Sequence, residues 1–264
     1  MVSPTLSSAR RALLLTSATL WLALSVFAQT SQPPTSDHRQ PVLVELFTSE
    51  GCSDCPPADA LLARLDGTQF IPGAQAIVLS EHVTYWNHLG WRDPFSFDAM
   101  SERQSRYSTH FSLDEVYTPQ MVVDGAQQFV GSDAAALSRA VAGAVNKPKL
   151  QIAIQNARLA DGSIHFSVHG AANAKTMLVV ALAENATHSD VARGENAGRT
   201  LHHIAVVRTL KELDSNSADG RALQLSVPAL SGNDNATGPL RLVVFFADRQ
   251  SGHVLGVAEQ TINR

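Results

Sequence analysis

Two cysteines separated by two residues, Cys52-Ser53-Asp54-Cys55, stand directly before Pro56-Pro57 and are the only cysteines of the chain. A pair at this spacing can form a reversible disulfide, because two intervening residues let both sulfurs meet at the first turn of a following helix. Backbone N–H groups at that helix end favour a thiolate, the attacking species in thiol–disulfide exchange. Position predicts Cys52 as the exposed nucleophile and Cys55, one turn in, as the buried resolving thiol. Asp54 between them opposes thiolate formation by like charge, which argues against an extremely strong oxidant.

Two further segments could serve that chemistry. In Val116 to Gly125 (VYTPQMVVDG) a Thr-Pro pair enters a strand that turns back at Asp-Gly. A cis bond is readily accessible only before proline, so Thr118–Pro119 is expected to be cis, with the Thr118 backbone facing the disulfide and free to pair with an extended substrate. A trans proline at a strand edge is the alternative. The loop from Ser80 to Pro94 carries His82, Trp86, His88 and Trp91. His82, Trp86 and Trp91 are expected to border the cysteines as a substrate wall, the alternative being a loop held down by its own aromatic packing. His82 and His88 with Cys52 and Cys55 also offer nitrogen and sulfur donors of the kind copper and zinc accept. His165, His169, His202 and His203 read as surface histidines of strands. No nucleophile elbow, phosphate-binding glycine loop or helix-borne metalloprotease motif is present.

These residues need a frame. Val42 to Phe47 and Ala76 to Ser80 are short apolar runs that fit buried strands. Pro56 to Leu65 fits a helix with prolines in its first turn and an apolar stripe of Ala58, Leu61, Leu62 and Leu65. A second helix is expected over Phe97 to His110 with Ser96 as N-cap, and a third from Asp133 to about Val145 capped by Ser132. Between them lie a strand at Gln120 to Val123, the Asp124-Gly125 turn and a strand at Gln128 to Val130. The sum is an α/β domain over 41–146 around a small sheet, thioredoxin-like in its placing of Cys-x-x-Cys between a strand and a helix. Beyond Lys147-Pro148-Lys149 about seven short strands, some strictly alternating such as Ile164 to His169 and others continuous apolar runs such as Thr176 to Ala183, predict a separate β-sandwich over 147–264.

Glu45 to Asp59 (ELFTSEGCSDCPPAD), Tyr85 to Phe95 (YWNHLGWRDPF), Val116 to Gly125 and Gly198 to Arg208 (GRTLHHIAVVR) resemble, in order, four blocks of the secreted thioredoxin-like family catalogued as domain of unknown function number 1223. The resemblance covers most of the mature chain. It implies a thioredoxin-like domain and names no substrate. Many thioredoxins place a buried acid six residues before the first cysteine to move the resolving thiol's proton. Leu46 holds that position here, and Glu45, one residue earlier, is the candidate relay; a strand-end surface acid is the other reading.

Arg10 and Arg11 followed by the apolar Ala12 to Ala28 read as a secretory signal over 1–28, and the proline-bearing 29–40 as a disordered leader. Loss of the two arginines takes the formal charge from −4 to −6. With no basic patch, nucleic acid is not an expected partner, and no later run is apolar enough for stable membrane insertion. Export to the periplasm or beyond exposes the cysteines to an oxidising compartment. Asn185 and Asn235 fit glycosylation acceptors for a host that modifies them. The expected function is thiol–disulfide exchange on protein thiols with a redox partner and no organic cofactor, since the disulfide carries the two electrons itself. The competing classes are a secreted binding module with a structural Cys52–Cys55 bridge, and a copper or zinc carrier.

Overall fold

The computed structural model describes residues 39–170, 173, 175–215, 219–228 and 237–264. The expected signal, the leader through residue 38 and the Asn235 acceptor lie outside the described residues. The elements run β1 (Gln40–Thr48), α1 (Pro56–Thr68), β2 (Ala74–His82), α2 (Asp98–His110), β3 (Gln120–Val123), β4 (Gln127–Val130) and α3 (Ala134–Val145). The second half is all strand: β5 (Ile152–Ala160), β6 (Ser163–Gly170), β7 (Thr176–Asp190), β8 (Thr200–Asp214), β9 (Ala222–Ser226), β10 (Thr237–Asp248) and β11 (Val254–Ile262).

Strand alternation sorts the core into layers. Val42, Val44 and Leu46 of β1 face one side, where α1 (Leu61, Leu62, Leu65) and α3 (Leu137, Val141) cover them. Leu43 faces the other side with Ile77 and Leu79 of β2, beneath Met100 of α2. Each such side chain removed from water contributes roughly 1.5–3 kcal/mol. Asp133, not Ser132, caps α3: its carboxylate accepts from the N–H groups of Ala135 and Ala136. Helix α2 starts at Asp98, one residue later than expected, with Phe97 at its N-cap and no side-chain cap.

The second half differs from the expectation of a separate sandwich. The large sheet has the order β11-β10-β7-β8-β2-β1-β3-β4, so four strands of the second half extend the sheet of the first. The join is the parallel pairing of β2 with β8 at Ser80 and Val206. Only β5, β6 and β9 form a second, antiparallel sheet. It packs Ile164, Phe166 and Leu225 over Leu178, Val180, Leu242 and Val244 of the large one. The fold is thus mixed α/β, with a large mixed sheet and a small antiparallel one, and the described residues from Arg39 onward form one compact unit.

The expected boundary is pinned, not loose. Lys149 is buried against Asp124 at 2.6 Å and donates to the Val254 carbonyl at 3.2 Å. The Asp124-Gly125 turn has positive φ at both residues, 50° and 60°. A Cβ on Gly125 would lie 2.2 Å from the Gly252 carbonyl oxygen, so only glycine fits. Nor are all the later strands short: β7 and β8 span 15 residues each and pair antiparallel, ending in a turn that reaches the cysteines.

Candidate functional site

The cysteine loop, residues 49–55, leaves the carboxyl end of β1, the edge at which open α/β sheets present their sites. It winds through two turns, with Cys52 N–H donating to Ser49 O at 3.2 Å and Cys55 N–H to Cys52 O at 3.3 Å. Cys55 is the N-cap of α1 and already helical (φ −78°, ψ −38°), with Pro56 and Pro57 where no helical N–H is required. Cys52 and Cys55 are joined as a disulfide with Cα atoms 5.5 Å apart. Ser53, Asp54, Pro57, Thr118, Pro119 and Val130 line a cleft of about 420 Å³ beside it. The Thr118–Pro119 bond is cis. Trp86 reaches across with its indole N–H on the Thr118 hydroxyl at 2.7 Å.

Beneath the loop lies a buried polar cluster. Glu50, fully buried, accepts from the Trp91 indole at 2.7 Å and from the Ser189 hydroxyl. His203 of β8 lies between two carboxylates, with Nε2 3.3 Å from Glu50 and Nδ1 3.6 Å from Asp59. Thr48 donates to Asp59 at 3.3 Å. Burial alone would keep the His203 imidazole neutral, but hydrogen bonds and charge from Asp59 and Glu50 outweigh it and raise its pKa to about 10. His82, stacked edge-on to His203 at 4.6 Å, shares a 2.7 Å contact with Asp93. Asp93 also accepts from the Glu50 and Phe95 backbones. Burial pushes its carboxyl up, yet the His82 charge and these hydrogen bonds hold it below the ordinary range.

The sequence-based expectations divide here. The structure brings together Cys52, Cys55, Thr118, Pro119 and Trp86, with Trp91 one step away on Glu50. His82 does not border the cleft, being wholly buried in the cluster below. Cys52 is not exposed either: its relative exposure is 1% and that of Cys55 0%, and Asn196 from the β7–β8 turn donates to the Cys52 carbonyl. Glu45 is on the opposite face of β1 from α1. It accepts from Arg103 Nε and from the Tyr107 hydroxyl, both at 2.6 Å, so side-chain alternation takes it away from the cysteines. His203 is buried, 3% exposed, and not a surface histidine.

His88 is exposed while His82 is buried, so the four donors of the metal-carrier reading are not gathered. Among the described residues no group of three or more His, Cys, Asp or Glu side chains is arranged to hold a metal. Sequence reasoning missed Glu50, Asp59, Asp93, Ser189, Asn196 and His203. Two of them left a signal. Asp59 lies four residues after Cys55 on the same helix face, and His203 alternates with the buried Leu201 and Ala205 along β8.

A disulfide with Cys-x-x-Cys spacing, opening a helix at the carboxyl edge of a large mixed sheet, defines the class: a mixed α/β protein with a covered cysteine pair. The chain belongs to the family described as protein of unknown function DUF1223, whose model matches residues 43–246. Among solved structures it is similar to protein AGR_C_4864 from Agrobacterium tumefaciens. That match has 24% identity and a TM-score of 0.57, and covers 83% of this chain and 92% of that one. A domain of the outer membrane lipoprotein Omp28 from Porphyromonas gingivalis matches 44% of this chain and 89% of that one, at 21% identity and a TM-score of 0.27. No curated protein matches the chain. Among the described residues no helix is long and apolar enough to cross a membrane.

Proposed function

We propose that the protein is an exported, thioredoxin-like thiol–disulfide oxidoreductase acting on protein thiols, with Cys52 as nucleophile and Cys55 as resolving thiol. The observation that carries this reading is the Cys52–Cys55 disulfide at the start of α1, beside the cleft walled by Thr118 and Pro119. In the oxidised form a substrate thiolate attacks the Cys52 sulfur, the Cys52–Cys55 bond breaks, and its electron pair passes to Cys55. A second substrate thiolate then attacks the mixed disulfide, so that the substrate leaves oxidised and the pair reduced. The reverse sequence, after a redox partner has reduced the pair, reduces a substrate disulfide. The positive end of α1 favours the Cys52 thiolate, while Asp54 and the Glu195 carboxylate on the Ser53 N–H oppose it, which argues for a moderate potential. Export rests on Arg10, Arg11 and the apolar run Ala12 to Ala28.

Equilibration with dithiol buffers measures the potential. A value more oxidising than about −300 mV is expected, and Cys55→Ser should accumulate mixed disulfides through Cys52. The near-complete burial of both sulfurs favours a second reading, a secreted binding module in which the bridge is a permanent clip. A potential below about −300 mV with no trapped partner would establish that reading in place of the first.

A further inference from the structure

The turn 191–199 between β7 and β8 is hydrogen-bonded to the cysteine loop. The Asn196 side chain, 1% exposed, donates its amide to the carbonyls of Glu50 and Cys52, each at 2.9 Å. Arg199 donates to Asn196 Oδ1 at 2.9 Å, which fixes the amide with its N–H groups toward the cysteine loop. The Glu195 carboxylate accepts the Ser53 N–H at 3.1 Å. Gly194 lets the turn come this close: its φ is +79°, and a Cβ there would lie 3.1 Å from the Trp91 Cβ. Of the turn's side chains only Val191 and Asn196 are buried. Lifting its tip, residues 192–198, therefore breaks a few polar contacts and leaves Val191 and the apolar core in place, the character of a segment that opens locally.

Disulfide exchange needs a thiolate to reach the sulfur it attacks, and a sulfur 1% exposed offers no path while the turn is seated. We infer that the β7–β8 turn is a displaceable cover latched by Asn196, and that it reserves Cys52 for partners that are extended polypeptide segments. The inference rests on the exchange reading above for its biological meaning. The selection follows from what the latch leaves behind. When Asn196 departs, the Glu50 carbonyl loses its donor, the Cys52 carbonyl keeps only the Cys55 N–H, and the exposed Ser53 N–H loses its acceptor. Buried backbone groups left unpaired are costly. A peptide strand supplies backbone N–H and C=O groups in that alternation; a small thiol without amides does not. Once seated, the partner's thiolate attacks Cys52, the bond to Cys55 breaks, and the Cys55 sulfur takes the electron pair and a proton. A second partner thiolate completes the two-electron transfer.

The test is the rate of reduction of the Cys52–Cys55 disulfide in the full mature chain. The probes are dithiothreitol and a reduced unstructured peptide carrying two cysteines, compared at equal thiolate concentration. Dithiothreitol should react far more slowly with the folded wild type than with the chain in guanidinium. Asn196→Ala removes its two hydrogen bonds to the cysteine loop and the one from Arg199, and should speed the dithiothreitol reaction about tenfold or more, with less than about a twofold change for the peptide. Gly194→Ala, which unseats the turn without touching the latch, should act in the same direction and serves if Asn196→Ala fails to fold. Equal dithiothreitol rates for wild type and a folded variant would overturn the inference, as would a wild type reduced as fast as the unfolded chain. Because neither rate requires catalytic turnover, accelerated variants together with a potential below that of exchange-active pairs would retain the cover and reject the oxidoreductase.

Discussion

His203 Nε2 lies 3.3 Å from the Glu50 carboxylate, so a strand of the second half of the chain supports the loop that carries the cysteines. The contact joins residues 153 apart in sequence, and both side chains are buried. The cysteine loop therefore rests on a charge cluster assembled from both halves.

The first prediction concerns pH. His203 binds its proton more tightly when folded, at about 10 against 6.5, with Glu50, Asp59 and His82 facing it. Its stabilisation is therefore fully present below about pH 6.5 and is lost as pH rises through about 10. Urea midpoints at pH 6, 8 and 10 should fall for wild type, while His203→Gln is less stable at pH 6 and lacks that decline. Parallel slopes for the two proteins would refute the charged assignment.

Asp93 works with the opposite sign. Its folded carboxyl titrates below the ordinary 3.8, so its contribution is present above that pH and is lost as pH falls through the lower folded value. Asp93→Ala also leaves the Glu50 and Phe95 N–H groups without their acceptor, at a cost of about 1–3 kcal/mol each. Equilibrium unfolding at neutral pH should show the loss. Acid titration of Asp93→Asn should lack the wild-type limb below 3.8.

Glu45 and Arg103 should separate stability from redox chemistry. Arg103 holds Glu45 at 2.6 Å and lies 3.7 Å from Glu81, whose carboxyl is pushed well up by burial and then by the nearby Glu45 charge. Arg103→Met leaves these acids uncompensated and should cost about 3–5 kcal/mol. Glu45→Gln should leave the pH profile of disulfide exchange unchanged, as expected for a group across the sheet from the cysteines. A shifted profile would restore Glu45 as a proton relay.

A fragment spanning 41–146 should fail to fold as a monomer. Without β8, strand β2 becomes an open edge. Leu43, Ile77 and Leu79 also lose Val179, Ala181, Val243 and Phe245 as neighbours. Circular dichroism and size-exclusion chromatography of the fragment decide this. A cooperative, monomeric transition would show that the first half is autonomous.

Most of β1 to α3 was legible because its signals are local: apolar runs for β1 and β2, Pro56-Pro57 and a leucine stripe for α1, Asp124-Gly125 for the β3–β4 turn. All seven later strands were visible too. That four of them join the large sheet was not, because Ser80 and Val206 carry no local mark of their pairing. The same holds for Asn196, one polar residue in a polar turn, whose partner Cys52 is 144 residues away. Leu201, His203 and Ala205 are the instructive case, since alternation along β8 points His203 inward even though histidine is more often exposed.

The parallel seam between β2 and β8 also sets a timetable. Strands so distant in the chain meet late, because the entropy of closing a long loop must be overcome before the contact can repay it. A chain emerging from its N-terminus presents Cys52 and Cys55 well before β8 and the turn ahead of it exist. Newly made molecules therefore pass through an interval in which both thiols are open to any oxidant, and maturation closes it. Burial of the pair is thus a late acquisition of folding, since both cysteines precede in the chain the strand that completes their surroundings.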